Sequence, residues 1–149
     1  GAKRAELMSD MWTVPASRMK GGRSHQVPLG KRSLELLEIS ASLDPQSEYF
    51  FSKNGKQLSN MAMLMMVRRF SLGITVHGFR SAFRDWVSEE TEFSPELAEM
   101  ALAHTIGNKV EAAYRRGNLI ERRKGLMKHW ESFCEGENMQ NVHPIRKVA

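Results

Sequence analysis

The sequence predicts a mainly α-helical protein with a small antiparallel β-sheet, and three observations support this fold class. Apolar residues recur at helical spacing in residues 77–90 and 94–104, and each stretch follows a helix-start signal. Residues 12–15 and 25–29 are predicted to be two short strands, and the Gly-Gly pair between them tolerates the positive φ of a chain reversal. The length of 149 residues fits one domain that buries its own core.

The composition is that of a basic globular protein, with 41% hydrophobic and 26% charged residues. A net charge of +5 fits a polyanionic partner without identifying one. The single cysteine, Cys134, excludes an intrachain disulfide and fits a reducing cytoplasm. No apolar run approaches the roughly 20 residues that span a bilayer, and residues 1–11 lack the apolar core of a signal peptide.

The first half of the chain contains the predicted sheet and two predicted helices. Residues 1–11 are polar and predict a loop, and Lys20 lies at the tip of the hairpin between the two predicted strands. Residues 31–42 predict a helix, and residues 49–51 predict a short aromatic strand. Residues 59–70 predict a second helix, whose four methionines favour core packing over an adaptable binding groove.

The second half of the chain is predicted to be helical. Thr75 is a candidate cap for the helix that continues to Glu90, and Ser94 followed by Pro95 begins the next helix. A last helix is predicted from about residue 118 to 134. The buried stripe of the first of these helices is predicted to contain Phe79, Phe83, Trp86 and Val87.

Four side chains in this half of the sequence indicate chemistry on an anion. His77 and Arg80 are three residues apart, so both side chains lie on one helical face. His104 follows at the end of the next predicted helix, and Tyr114 comes ten residues later. Arginine offers planar donors to a phosphate, histidine transfers protons near neutral pH, and tyrosine is a nucleophile. The set predicts a phosphoryl-transfer site that needs no metal and no cofactor.

The motifs HGFRSAFRDW, EMALAH and NKVEAAYRR, in this order, resemble the catalytic domain of tyrosine recombinases, the phage-type integrases. The resemblance covers roughly residues 12–133 and is to the subgroup carried by bacterial prophages and genomic islands. It implies the fold of the DNA breaking-rejoining enzymes. It also implies site-specific integration or excision through a 3′-phosphotyrosine intermediate.

The resemblance implies a role for each candidate catalytic residue. Arg80, His77 and His104 would bind the scissile phosphate, and His77 would also accept the proton of the nucleophile, Tyr114. Lys20 would protonate the leaving 5′ oxygen, although a hairpin lysine considered alone is most often just solvated.

The implied partner is double-stranded DNA at attachment sites. Contacts with it are expected from Arg23, His25, Arg115 and Arg116. On DNA a homo-tetramer is expected, with a monomer in its absence, and no membrane is involved. The expected location is the bacterial cytoplasm, in association with the nucleoid.

One part of the family pattern is missing from this sequence. Recombinases of this kind use a first arginine in a Gly-x-Arg-x-x-Glu setting, well before the lysine hairpin. Here Lys3 occupies that arginine's slot, and Arg4 is only sixteen residues before Lys20, which is too few for the intervening elements. We therefore expect residues 1–136 to be a C-terminal catalytic domain that begins downstream of the first arginine, and to be impaired in cleavage alone. Residues 137–149 are expected to form a tail, either exchanged with a neighbouring subunit or disordered.

Two other functions remain open from the sequence. A type IB topoisomerase shares the same chemistry, although the HGFR and AAYRR contexts favour the integrase. A catalytically inactive DNA-binding remnant is the alternative suggested by the missing arginine. Formation of a covalent protein–DNA adduct separates an enzyme from a binding protein.

Overall fold

The computed structural model describes residues 1–70, 73–104 and 119–136. The chain forms two compact units, residues 1–70 and 71–149. The described residues are mainly helical and include small antiparallel sheets, so the predicted fold class is confirmed at this level.

The sheet of the first unit has three antiparallel strands in the order β1 (Leu7–Met8), β2 (Met11–Val14) and β3 (His25–Pro28). The β2–β3 hairpin was predicted and is confirmed, with Trp12 opposite Val27. The predicted loop over residues 1–11 is wrong, because β1 adds a third strand there. This strand has only two residues and polar neighbours in the sequence, so it gives no strand pattern. A two-residue turn, in which Ser9 has φ 54°, connects it to β2.

The helix α1 (Lys31–Ser42) has the predicted bounds. Its C-terminal end is held by Arg4, whose guanidinium donates to the carbonyl oxygens of Ala41, Asp44 and Pro45 at 2.8–3.0 Å. The Ala41 carbonyl lies in the last turn of the helix and the other two follow it, in a region where backbone acceptors lack partners within the helix. Arg4 therefore joins the beginning of the chain to the end of α1.

A two-stranded hairpin, β4 (Ser52–Lys53) and β5 (Lys56–Gln57), follows α1. Its turn residues have positive φ, 53° at Asn54 and 75° at Gly55, as tight hairpin turns require. The predicted aromatic strand over residues 49–51 is wrong. Tyr49 makes only an isolated bridge to Lys3, and Phe50 is buried, so these aromatic residues serve packing instead of a strand ladder.

The helix α2 (Ala62–Arg69) is close to the predicted second helix. The expectation that its methionines form core is wrong: all four are exposed, by 47–61%, and α2 buries Val67 instead. Their spacing explains this result, because residues 61, 63, 65 and 66 point in several directions around a helix and cannot share one buried face.

The second unit contains α3 (Gly78–Glu90), α4 (Pro95–Ala101) and α5 (Leu119–Cys134). Aromatic contacts bind α3 to α5, with the rings of Phe83 and Trp130 edge to face at 5.2 Å between centroids. The buried core of this unit consists of Phe83, Trp86, Val87, Leu97, Ala98 and Leu126.

One member of the predicted stripe, Phe79, is not buried, and 53% of it is exposed. It lies in the first turn of α3, whereas the cluster packed with α4 and α5 begins at Phe83. The first turn of α3, next to the candidate residues His77 and Arg80, thus remains accessible. Within the described ranges, no helix has the length and apolar character that crossing a membrane requires.

Candidate active site

Two of the predicted site residues lie at the start of α3. The hydroxyl of Thr75 accepts a hydrogen bond from the Gly78 N–H at 3.0 Å, so the predicted capping residue does hold the start of this helix. His77 precedes α3 with helical backbone angles and is exposed. Arg80 is half-buried, and its backbone N–H bonds the His77 carbonyl at 3.0 Å.

The end of α4 positions His104 through a C-terminal capping motif. The N–H of His104 bonds the Glu99 carbonyl at 2.8 Å, and the N–H of Ala103 bonds the Met100 carbonyl at 3.1 Å. This is the Schellman arrangement, which needs a left-handed residue, and Ala103 supplies it with φ 57°. Because alanine carries a Cβ, this conformation costs about 1 to 2 kcal/mol. The chain reverses there and brings His104 back over the end of α4.

Arg80 and His104, far apart in sequence, are in direct contact. Nη2 of Arg80 lies 2.7 Å from Nε2 of His104, and it also donates to the Leu102 carbonyl at 2.7 Å. The Leu102 carbonyl belongs to the capping residue of α4, so the arginine satisfies an acceptor that the helix leaves unpaired. The packing of α3 against α4 therefore brings an arginine and a histidine to one place on the surface.

A glutamate and a second arginine complete this network. The carboxylate of Glu99 contacts Nδ1 of His104 through Oε2, and Oε1 lies 2.6 Å from Nε of Arg84. The second contact is an ion pair without hydrogen-bond alignment. The hydrogen bond with His104 lowers the pKa of Glu99, burial opposes this shift, and the positive charge of Arg84 adds to it.

The partners of His104 fix its tautomer. Arginine has only N–H donors, so Nε2 of His104 must accept from Arg80. The ring proton then belongs on Nδ1, where it is donated to the Glu99 carboxylate. We assign this tautomer from the hydrogen-bond network.

The other described candidates belong to the first unit. Lys20 and Arg23 are exposed in the connection between β2 and β3, where Gly22 has φ 61° as the predicted reversal requires. His25 is the half-buried first residue of β3 and pairs with Val14.

The remaining candidates lie outside the described residues. These are Tyr114, Arg115 and Arg116, together with the predicted tail at 137–149. Among the described residues, no group of three or more His, Cys, Asp or Glu side chains is placed to hold a metal ion.

Glu99 and Arg84 were not predicted from the sequence. Arg84 is one helical turn after Arg80, and this spacing was an available signal for a shared face. The Glu99–His104 contact had no comparable signal. It depends on the left-handed conformation of Ala103, and alanine is not a residue from which that conformation is expected.

The chain is similar in sequence to several integrases. It is 35% identical over 136 residues to the prophage integrase IntA of Escherichia coli strain K12, in an alignment covering 88% of this chain and 33% of that relative. It is 29% identical to the integrase of Shigella phage Sf6, over 89% of this chain and 36% of the relative. The prophage integrase IntS of the same Escherichia coli strain gives the same three values, 29%, 89% and 36%.

The chain spans about a third of the length of these curated relatives. No protein-family model matches it. No solved structure matches it either.

Proposed function

Because the chain belongs to the phage-type integrase family, we propose that it is the C-terminal catalytic part of a tyrosine recombinase. The complete enzyme would integrate or excise a prophage or genomic island at attachment sites in DNA. The observation that supports this proposal most is the contact of Arg80 with His104, because it holds together two side chains of the proposed phosphate site that are distant in sequence. The proposed fold is that of the DNA breaking-rejoining enzymes.

Phosphodiester cleavage develops negative charge on the non-bridging oxygens of a pentacoordinate phosphorus. Fixed donors aimed at those oxygens are the expected main source of rate acceleration. Among the described residues Arg80 uses only Nη2 in its side-chain contacts, which leaves Nε and Nη1 to bind the phosphate. His77 is exposed and immediately precedes α3, three residues before Arg80, and it is the second proposed donor. His104 is the third residue of the proposed phosphate site. Its Nε2 accepts from Arg80, so in this tautomer it orients the guanidinium toward the phosphate.

The proposed reaction is an in-line displacement by Tyr114. Its phenolic oxygen bonds to phosphorus and its proton passes to His77, while the bond to the 5′ oxygen breaks and that oxygen takes a proton from Lys20. The product is a 3′-phosphotyrosine. Attack by the 5′ hydroxyl of another strand reverses these steps and restores Tyr114, so strand exchange needs no ATP.

We further propose that the reaction uses no metal and no cofactor, because cationic side chains take the place of Mg²⁺ in neutralising the phosphate. The partner is double-stranded DNA in the bacterial cytoplasm, bound as a tetramer. The net charge of +5 supports a polyanionic partner. Arg23, His25, Arg115 and Arg116 are the proposed backbone contacts.

The first catalytic arginine of the family pattern is proposed to lie outside this chain. Arg4, the nearest candidate, already donates to three carbonyls at the end of α1, which supports a structural role for it. The chain alone is therefore expected to cleave far more slowly than the complete integrase.

Covalent trapping tests the proposal. The complete integrase and the 149-residue chain are incubated with a nicked attachment-site duplex, and adducts are resolved on a denaturing gel. We expect an adduct from the complete integrase, none from its Tyr114→Phe variant, and little from the chain alone. DNA binding without any adduct would favour the second candidate, a catalytically inactive DNA-binding remnant, which the missing first arginine suggests. Relaxation of supercoiled DNA lacking attachment sites would instead favour a type IB topoisomerase.

A further inference from the structure

We propose that Glu99 is a positioning residue that fixes the ring orientation and the tautomer of His104, and that Arg84 holds Glu99 in place. The inference rests on the proposed function only for the role of His104 in cleavage. The arrangement itself comes from the contacts among α3, α4 and the residues that follow α4.

Glu99 holds His104 at both the backbone and the side chain. Its carbonyl oxygen accepts the backbone N–H of His104 at 2.8 Å, and its carboxylate contacts Nδ1 of the ring. With both ends bound to one residue, the imidazole has little freedom to rotate. Nε2 of the ring is thereby kept on the side of Arg80, where the phosphate is proposed to bind.

Arg84 extends this support back to α3. It lies one turn after Arg80 on the same helix, and its Nε is 2.6 Å from Glu99 Oε1. The contacts therefore run from Arg84 to Glu99, to His104 and to Arg80, and α3 provides both ends. Because 62% of the Arg84 side chain is exposed, its share is expected to be smaller than that of Glu99.

A carboxylate is the group that suits this position. One oxygen accepts Nδ1–H of His104, and the other forms an ion pair with the guanidinium of Arg84 without an aligned hydrogen bond. The amide of glutamine has no negative charge for Arg84, and in one of its two orientations it turns NH₂ toward Nδ1 of His104. If the NH₂ faces His104, Nδ1 must become the acceptor, and the proton on Nε2 then opposes Arg80. Glu99→Gln therefore keeps the size of the side chain and disrupts the network.

The first measurement is the tautomer of His104, read by ¹⁵N NMR of the imidazole in the 149-residue chain. We expect the Nδ1–H form in the parent chain and its loss or a tautomer mixture in Glu99→Gln. Glu89→Gln is the matched control, because Glu89 is an exposed glutamate of α3 outside the network, and it is expected to leave the tautomer unchanged. A His104 tautomer that is the same in Glu99→Gln and in the parent chain would overturn the proposal.

The second measurement is single-turnover cleavage of the nicked duplex by the complete integrase. Glu99→Gln is expected to lower the rate on the order of 10-fold to 100-fold, as for groups that orient a histidine in other sites. DNA affinity and melting temperature should stay near the parent values, and Glu89→Gln should cleave normally. A normal cleavage rate in Glu99→Gln, or a loss of rate without a change of tautomer, contradicts the positioning role.

Arg84 provides a second pair of variants if Glu99→Gln does not fold. Arg84→Ala should lower the cleavage rate and broaden the ¹⁵N signals of the His104 ring. Arg84→Lys keeps the positive charge, so its cleavage rate and its ¹⁵N signals should be close to those of the parent. Equal loss in the two variants would contradict the role of Arg84. The two proposals fail separately: absence of any adduct from the parent integrase refutes the proposed function, while the NMR result still decides whether Glu99 positions His104.

Discussion

The two units hold their proposed catalytic residues in different ways. In the second unit, Arg80 and His104 are bound to each other, to a helix-end carbonyl and to Glu99, above a core of aromatic and aliphatic side chains. In the first unit, Lys20 is exposed in the connection between β2 and β3. The difference matches the proposed roles, because charge stabilisation needs fixed donors whereas a proton donor acts once, at the leaving oxygen.

Replacing Lys20 is the largest expected effect and tests this contrast directly. Lys20→Ala should slow cleavage by the complete integrase by about 10²-fold to 10⁴-fold, the usual contribution of a general acid. A duplex whose scissile 5′ oxygen is replaced by sulfur should restore the rate, because a thiolate leaves without a proton. Single-turnover adduct formation on the two duplexes measures both effects, and a variant that stays slow on the sulfur substrate would contradict the general-acid role.

Replacing Arg80 should slow cleavage almost as much, but the sulfur leaving group should not restore the rate. Arg80→Lys keeps the positive charge and loses the planar guanidinium, whose Nη2 contacts Leu102 and His104 and whose Nε and Nη1 are proposed to bind the phosphate, so cleavage should fall by about 10²-fold to 10³-fold. The sulfur duplex is expected to give the same loss. Rescue by sulfur in this variant would mean that Arg80, like Lys20, acts on the leaving oxygen, and the contrast between the two units would fail.

The first unit has its own fixed polar centre at Glu6, which is structural. Its carboxylate accepts the Lys3 N–H at 3.0 Å and the Trp12 indole N–H at 3.1 Å, and it pairs with Arg18. Burial raises its pKa, but these hydrogen bonds and the charge of Arg18 outweigh burial and lower it. Glu6→Gln should reduce the free energy of unfolding at pH 7 by about 1 to 2 kcal/mol.

The pH dependence of this effect follows from the sign of the shift. Because the folded state has the lower pKa, the stabilisation by Glu6 is complete well above pH 4.5, the ordinary value for this group, and is lost as the pH falls through the lower folded pKa. Urea denaturation across this range should show the parent and Glu6→Gln converging in acid. Equal differences at every pH would show that the carboxylate charge contributes nothing.

The smallest expected effect is a gain at the end of α4. Ala103 has φ 57°, which glycine adopts without the steric cost of a Cβ, so Ala103→Gly should raise the free energy of unfolding by about 1 kcal/mol. The backbone bonds that place His104 should remain, and the His104 tautomer should not change. Chemical denaturation measures the gain, and a loss of stability would mean that the Cβ of Ala103 contributes packing that outweighs its strain.

The sequence predicted elements whose signals are local. The capped start of α3, the bounds of α1 and the β2–β3 hairpin all depend on residues within a few positions of each other. It failed where partners distant in sequence decide the outcome. The methionines of α2 have the composition of a core but not the spacing, and Tyr49 pairs with Lys3 instead of forming a strand.

The candidate site shows the same limit. His77, Arg80 and His104 were recognisable because their residue types and order suggest phosphate chemistry, and the roles given to them remain proposals. The contacts of Glu99 were not predictable, because they require a left-handed alanine after α4 and a specific packing of α3 on α4. Sequence motifs thus indicated the side chains proposed to meet the phosphate, and only the structure indicated which residues support them.

The contact between Arg80 and His104 joins the beginning of α3 to the residues after α4, and both helices contribute to one buried core that includes Ala98, which has no exposed surface. The proposed site residues therefore come together only after the helices have packed, and a chain with both helices formed but unpacked has no assembled phosphate site. The proposed cleavage activity would therefore depend on a folded core, and a copy in which the helices have not packed would lack it.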